Sequence, residues 1–302
     1  MQRLTSYTES WNRRPLPGPL GAGPPPTVPQ AAVISALWLL AAWSPATAPG
    51  WRASFALDDP SQWGTAEPVP DPDLLLAGRL PAGDARSRSL QRYLASELDS
   101  KYVQLRRAPA PGDDLTLLLR DWKDRTLRLT LSAAPSVEPP PPDSRLPCLM
   151  TLLSDQLWVN NNNPVTFRAF LADRDGPVDP IDWWTRTRED APLEDDDEPE
   201  FAPIAPDDLR SALLNVARGG LTELGADWDG TGDYPAIPDD HIAAYLCHDL
   251  LDTLLDRVQP ESLHGTGFLP VDFADEDMEA EIGTVVLAGP REVAVLDIDV
   301  TC

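Results

Sequence analysis

Proline is the residue that most limits what this chain can fold into. The sequence contains 34 prolines, of which 22 fall in residues 1–150 and 12 in residues 151–302. Each proline fixes one backbone dihedral angle and removes one hydrogen-bond donor, so it interrupts helices and central strands. We therefore expect short elements joined by many loops, above all in the first half of the chain.

The positions of proline and of charged residues divide the chain into consecutive parts. Residues 1–30 are rich in proline and have little to bury, so we expect a disordered leader. An N-terminal α+β region over 31–134 and a proline-rich linker over 135–147 follow. Residues 148–302 then form an acidic C-terminal α+β domain that contains an acidic loop at 189–200.

The spacing of apolar residues predicts helices mixed with antiparallel strands. Amphipathic helices are predicted over Arg86–Arg107 and over Pro238–Val258. Hairpins are predicted within Leu115–Ser132 and within Thr284–Val300. This mixture indicates the α+β class, as two modest domains or one two-part domain. No convincing internal repeat is visible in the sequence.

One apolar run, Ala31–Trp43, allows more than one interpretation. We predict a buried helix, because the run is shorter than the roughly 20 residues that span a bilayer. With Ala46-Thr47-Ala48 after it, the segment 31–48 also resembles a signal peptide, although about 30 residues precede it. Our expectation is a cytoplasmic protein, and the alternative is a secreted one. The three cysteines have no short spacing, which favours reduced thiols.

The net charge of −25 belongs entirely to the second half of the chain. Residues 1–150 hold 16 basic and 15 acidic side chains, whereas residues 151–302 hold 8 and 34. Nucleic-acid binding and attachment to anionic membranes both need clustered lysine and arginine, so the charge argues against them. A basic protein is the partner that this charge favours.

The acidic loop is the strongest candidate for a docking surface. Eight of the twelve residues 189–200 are acidic, and two tryptophans precede them. Aromatic side chains supply much of the binding energy at interfaces. The predicted docking residues are Trp183, Trp184, Glu194, Asp195, Asp196, Asp197 and Glu198. A solvated loop with no partner is the alternative for this segment.

A second candidate is the segment around Trp228. Asp227, Asp229 and Asp233 resemble the alternating oxygen ligands of a calcium loop, but Pro238 stands where a bidentate carboxylate is needed. The other interpretation is structural: Trp228 anchors the loop, Asp229 accepts hydrogen bonds from the amides that follow, and Gly230 and Gly232 allow positive φ.

Trp228, Asp229, Gly230 and Gly232 also carry a family resemblance. With the helix and hairpin that follow them, they resemble an uncharacterised bacterial domain with an Asn-Trp-Asp-Gly-Tyr-Gly-Ala motif, over about residues 219–302. The chain departs from the motif at Asp227, Thr231 and Asp233. The resemblance implies a fold for this segment and no reaction.

The sequence favours a function without catalysis. It has no nucleophile elbow, phosphate-binding loop or dinucleotide fingerprint, so no cofactor and no catalytic residue is predicted. We expect a non-enzymatic, acidic protein-interaction module of the bacterial cytoplasm, such as an immunity-like protein or a defence accessory factor. The alternative is a calcium module or a metal-dependent enzyme (Ca²⁺ or Mg²⁺) that uses the Asp227/Asp229/Asp233 loop.

Overall fold

The fold is α+β, as predicted, and is built on two antiparallel sheets. A computed structural model describes residues 26–44, 50–57, 60–80, 83–100, 103–122, 124–140, 143–156, 165–187, 200–222, 241–266 and 281–300. They form two compact units, divided between Thr151 and Leu152. The division falls within one helix, Arg145–Gln156. Most of the predicted leader lies outside the described residues.

The first unit places helices against one five-stranded sheet. Its described elements before the dividing helix are α1 (Val28–Trp43), β1 (Trp51–Leu57), a 3₁₀ helix (Pro60–Thr65), β2 (Glu67–Pro68), α2 (Pro72–Ala77), α3 (Ala85–Leu98), β3 (Val103–Ala108), β4 (Leu115–Asp121) and β5 (Thr126–Ala133). The strand order is β1-β5-β4-β3-β2, and each neighbouring pair is antiparallel. The hairpin predicted from β4 to β5 is confirmed.

The apolar run of the sequence is helix α1, and it is buried on nearly all sides. Its Leu37 is fully buried, and its Trp38 meets Phe55 of β1 edge to face, with ring centroids 5.9 Å apart. A helix buried all round has no polar stripe, which explains the unbroken apolar sequence. Phe55 shares one sheet face with Leu117 and Leu129, so α1 covers this face, called here the helix face.

Helix α3 corrects one prediction. The expected helix over Arg86–Arg107 ends at Leu98, and Val103–Ala108 is strand β3. Leu90, Leu94 and Leu98 form the buried stripe that the spacing predicts. The periodicity does not distinguish the two structures here, because Leu105 fits the helical spacing and also shares one face of a strand with Val103.

The second unit contains an equivalent set of elements. After α4 (Arg145–Gln156) come β6 (Val165–Asp173), α5 (Pro180–Thr185), β7 (Ala202–Pro203), α6 (Pro206–Thr222), α7 (Ile242–Val258), β8 (Ser262–Gly265), β9 (Glu281–Ala288) and β10 (Glu292–Val300). The strand order is β6-β10-β9-β8-β7. The helix predicted over Pro238–Val258 is described from Ile242, and the C-terminal hairpin is confirmed.

The two units therefore share one topology. The series that begins at α1 and the series that begins at α4, the helix at the division, both run helix, strand, short helix, two-residue strand, two helices and three strands. Each pairs its first strand with its last. The short helices also share a sequence pattern, Asp-Pro-x-x-Trp-x-Thr, at residues 59–65 and 179–185. A helix that begins with Pro-Asp follows each two-residue strand. The repeat went unnoticed in the sequence because these matches are short and widely spaced.

The residues predicted as a linker are partly tied to the first sheet. The Ala134 amide donates to the Gly50 carbonyl, and the Glu138 amide donates to the Trp51 carbonyl. Helix α4 begins at Arg145, inside the predicted linker. Among the described residues, no helix combines the length and the apolar character needed to cross a membrane.

Candidate interaction surface

The chain between β6 and β7 carries most of the described candidates. These two strands lie at opposite edges of the second sheet, so the connection between them crosses the sheet. Its described residues are 174–187 and 200–201, and carboxylates continue on both flanks. We call the described residues of 173–208 the acidic crossover. The docking residues Glu194, Asp195, Asp196, Asp197 and Glu198 fall between its two described parts and lie outside the described residues.

Trp183 and Trp184 correct the predicted docking surface. They lie in α5 with exposed fractions of only 2% and 5%. Trp183 packs with Phe170, Val286 and Val295 on the sheet face. The pair is buried because the sheet is apolar there, and removing an indole from water lowers the free energy of the folded state. These tryptophans hold the crossover on the sheet and offer no aromatic surface to a partner.

The carboxylates of the acidic crossover point outward instead. Those at exposed positions are Asp173, Asp175, Asp179, Asp182, Glu200, Asp207 and Asp208. The described part of the segment has two arginines, and both are paired: Arg186 with Asp175 at 3.1 Å and Arg174 with Glu261 at 3.0 Å. The crossover therefore has a carboxylate excess that its own arginines do not neutralise.

Some of these carboxylates also organise the backbone. The Asp179 carboxylate accepts a hydrogen bond of 3.0 Å from the Ile181 amide at the start of α5. The Asp208 carboxylate accepts from the Ala205 amide at 3.4 Å, next to the first turn of α6. Negative charge at a helix N-terminus is favourable because the amide dipoles point there. The side-chain carboxylates of Asp173, Asp182 and Asp207 make no hydrogen bond or ion pair within the described residues.

Two histidines of the second unit, His241 and His248, make structural contacts. His241 accepts a hydrogen bond from the Ala243 amide and caps α7. Arg210 of α6 contacts Nδ1 of His248 at 2.8 Å and donates to the Asp252 carboxylate at 2.8 Å. The contact joins α6 to α7.

The two cysteines that the structure describes do not have the character of nucleophiles. Cys148 and Cys247 are free and buried, and burial raises the pKa of each thiol to about 12. A thiol with such a pKa is protonated at neutral pH, and only the thiolate is a good nucleophile. Cys247 instead directs its Sγ toward the Leu213 carbonyl oxygen at 3.7 Å.

The Trp228 segment lies outside the described residues. This applies to Asp227, Trp228, Asp229, Gly230, Gly232 and Asp233, so the calcium alternative, the structural interpretation and the family resemblance stay predictions. Among the described residues, no group of three His, Cys, Asp or Glu side chains is arranged to hold a metal ion.

An exposed tryptophan that the sequence analysis did not select lies in the first unit. Trp122 stands at the tip of the β4–β5 hairpin and is 69% exposed. Asp121 orders this tip, because its carboxylate accepts from the Arg125 amide at 2.9 Å while its backbone amide donates to the Arg125 carbonyl at 3.1 Å. The signal in the sequence was a tryptophan flanked by charged residues between two predicted strands.

No outside similarity helps to interpret this surface. Comparison with known protein families, with curated proteins and with solved structures gives no match to this chain.

Proposed function

We propose that this protein is a non-enzymatic interaction module that binds a basic protein through the acidic crossover. One observation carries the proposal. Seven carboxylates are exposed along the described crossover against two arginines, and both arginines are already paired with carboxylates. In sequence, residues 188–199 add seven acidic side chains and one arginine to the same connection.

The way the crossover is held supports this proposal. Trp183 fixes α5 on the sheet, and Asp179 fixes its first turn. Binding through charges on a fixed backbone loses less conformational entropy than binding through charges on a flexible chain. Complementary charge also accelerates encounter, so the association should be fast and sensitive to salt.

The proposal places the protein in the bacterial cytoplasm. Cys148 and Cys247 are free thiols, which suits a reducing compartment. An immunity-like protein or a defence accessory factor has this character, because each binds a partner and catalyses nothing. The genes beside this one are the cheapest indication of which partner to test.

The proposal is tested by neutralising part of the crossover. The triple variant Asp173→Asn, Asp182→Asn and Asp207→Asn removes three charges that make no described hydrogen bond or ion pair. Partners captured from the native host at low salt are identified, and association rates are measured by surface plasmon resonance at several salt concentrations. We expect a basic partner and an association rate reduced about tenfold in the triple variant.

A matched variant separates local from global charge. Asp99→Asn, Asp113→Asn and Glu138→Gln remove the same charge from exposed positions of the first unit. This control should associate nearly as fast as the unmodified protein. Equal slowing by both variants, or the absence of any stoichiometric basic partner, would refute the proposal.

A further inference from the structure

Helices α6 and α7 of the second unit are joined by three polar side chains. One terminal nitrogen of the Arg210 guanidinium lies 2.8 Å from Nδ1 of His248, and the other donates to the Asp252 carboxylate at 2.8 Å. His248 and Asp252 stand four residues apart on α7 and therefore share one side of the helix. We call Arg210, His248 and Asp252 the Arg210 tether.

The chemistry of Arg210 determines the protonation state of His248 in this contact. A guanidinium group has five N–H donors and no acceptor, and it keeps its proton in proteins. Nδ1 of His248 must therefore accept the hydrogen bond, which a protonated nitrogen cannot do. The imidazole ring in the tether is neutral, with its hydrogen on Nε2.

Protonation of His248 would replace the hydrogen bond by a repulsion. Both ring nitrogens of an imidazolium are donors, so Nδ1–H would point at the positive charge of Arg210. Two like charges about 4 Å apart repel each other even in solvent. Asp252 would then be attracted to the imidazolium one turn before it, as opposite charges four residues apart on a helix are. Protonation thus removes one partner of Arg210 and competes for the other.

Other titratable groups surround His248 on three elements. Those on α6 and α7, besides the tether itself, are the exposed Asp207, the half-buried Tyr245 and the buried Asp249. Strand β10 also packs against α7, and its Glu292 pairs with Arg257 at 3.2 Å, more than two turns along the helix from His248. Among the described residues, the charged group that His248 contacts is therefore Arg210.

We infer that the Arg210 tether is a pH-sensitive link between α6 and α7, closed when His248 is neutral and released when it is protonated. Histidine is the side chain whose charge ordinarily changes between about pH 5 and 8, so it suits such a link. Because the folded state holds the neutral ring, the link weakens as the pH falls and is regained as it rises. Helix α6 follows β7 and carries Asp207 and Asp208 at the end of the acidic crossover, so release would loosen the end of that segment. The link itself does not depend on the proposed function.

The first experiment determines which ring nitrogen of His248 carries the hydrogen in the full chain. Long-range nitrogen–proton correlation NMR distinguishes the two neutral tautomers, and the His248 signal is identified by its loss in the variants described below. At about pH 7.5 we expect hydrogen on Nε2 and none on Nδ1. Hydrogen on Nδ1 at this pH would overturn the inference, because the ring could not then accept from Arg210.

Amide hydrogen exchange then tests whether protonation releases α6. Protection factors, which correct for the intrinsic pH dependence of exchange, are compared for the α6 amides at about pH 7.5 and about pH 5. We expect protection to fall about fivefold at the lower pH, which corresponds to one like-charge pair in solvent. His248→Asn keeps an acceptor but gains no proton, so its α6 protection should not fall. His248→Lys carries a charge at both pH values and should give low protection at both.

His241 provides the matched control. It caps the same helix and also accepts a hydrogen bond at Nδ1, so its own protonation could disturb α7. Asparagine is a good capping residue, and His241→Asn should therefore keep the full pH response of α6. A response that persists in His248→Asn, or that disappears in His241→Asn, would overturn the inference. Equal α6 protection at the two pH values in the unmodified protein would do the same.

Discussion

Replacing Trp183 by alanine tests whether this tryptophan supports the fold or a binding surface. Its side chain is 2% exposed and packs with Phe170, Val286, Val293 and Val295. A buried tryptophan removes about 150–250 Å² from water, worth about 4–6 kcal/mol at 25 cal/mol per Å². Because the cavity relaxes in part, we expect Trp183→Ala to lower the free energy of unfolding by about 3–5 kcal/mol.

The structure offers a matched control for this substitution. Trp122 is the same residue type but is 69% exposed, so Trp122→Ala removes little buried area. We expect it to change the free energy of unfolding by about 0.5 kcal/mol or less. Urea unfolding followed by far-ultraviolet circular dichroism measures both variants without relying on the deleted fluorophore.

The two tryptophan variants also separate two descriptions of α5. If Trp183 were an exposed docking residue, its alanine variant would unfold like the unmodified protein and would lose only partner binding. A loss below about 1 kcal/mol for Trp183→Ala would refute the packing described here. Because the chain has two units, the loss should appear in the transition of the second unit when the two are separable.

Three further substitutions or modifications check other parts of the structure. Asp84 caps α3 by accepting a hydrogen bond from the Ser87 amide. Burial raises the pKa of this carboxyl, but the hydrogen bonds from Ser87 have the larger combined effect, so the pKa lies below its ordinary value. Asp84→Ala should therefore cost about 1 kcal/mol above about pH 4, and the deficit should shrink as urea unfolding is repeated at lower pH. Cys148 and Cys247 should resist alkylation by iodoacetamide at pH 8 in the native protein, because burial raises the pKa of both thiols to about 12. Both should react once the protein is unfolded in guanidinium, and peptide mass spectrometry measures the extent of alkylation. Gly289→Ala would place a methyl group 1.9 Å from a carbonyl oxygen of α7 and should lower the free energy of unfolding by at least about 1 kcal/mol. Gly176→Ala is the control, because its methyl group would meet no atom within 4 Å and should leave the free energy of unfolding unchanged.

The sequence predicted helices and strands well where one hydrophobic period continues over many residues. The helix that ends at Val258 and the strands β9 and β10 were predicted because apolar residues recur over many positions with one period. The region around Leu105 was assigned wrongly, since a few apolar positions fit either period. The shared topology was missed because strand order is a long-range property that local patterns do not contain.

The candidate surface was predicted in charge but not in its aromatic residues. The acidic excess of the second half could be counted directly from the residues. Whether Trp183 and Trp184 face solvent depends on the apolar sheet face beneath them, which strands distant in sequence supply. Neighbours within the first sheet are hidden for the same reason, since Arg106 and Arg128 flank Leu118 only through strand pairing.

Pairing of the first strand with the last sets the order in which each unit can assemble. Trp51 pairs with Ala133, and Val165 pairs with Val300. Neither sheet can be completed until its final strand has left the ribosome, and closing such long loops slows folding. Strand β10 also pairs with both β6 and β9. A chain cut before β10 would therefore have a second unit with an interrupted sheet and two unpaired edges, which are the surfaces from which aggregation starts.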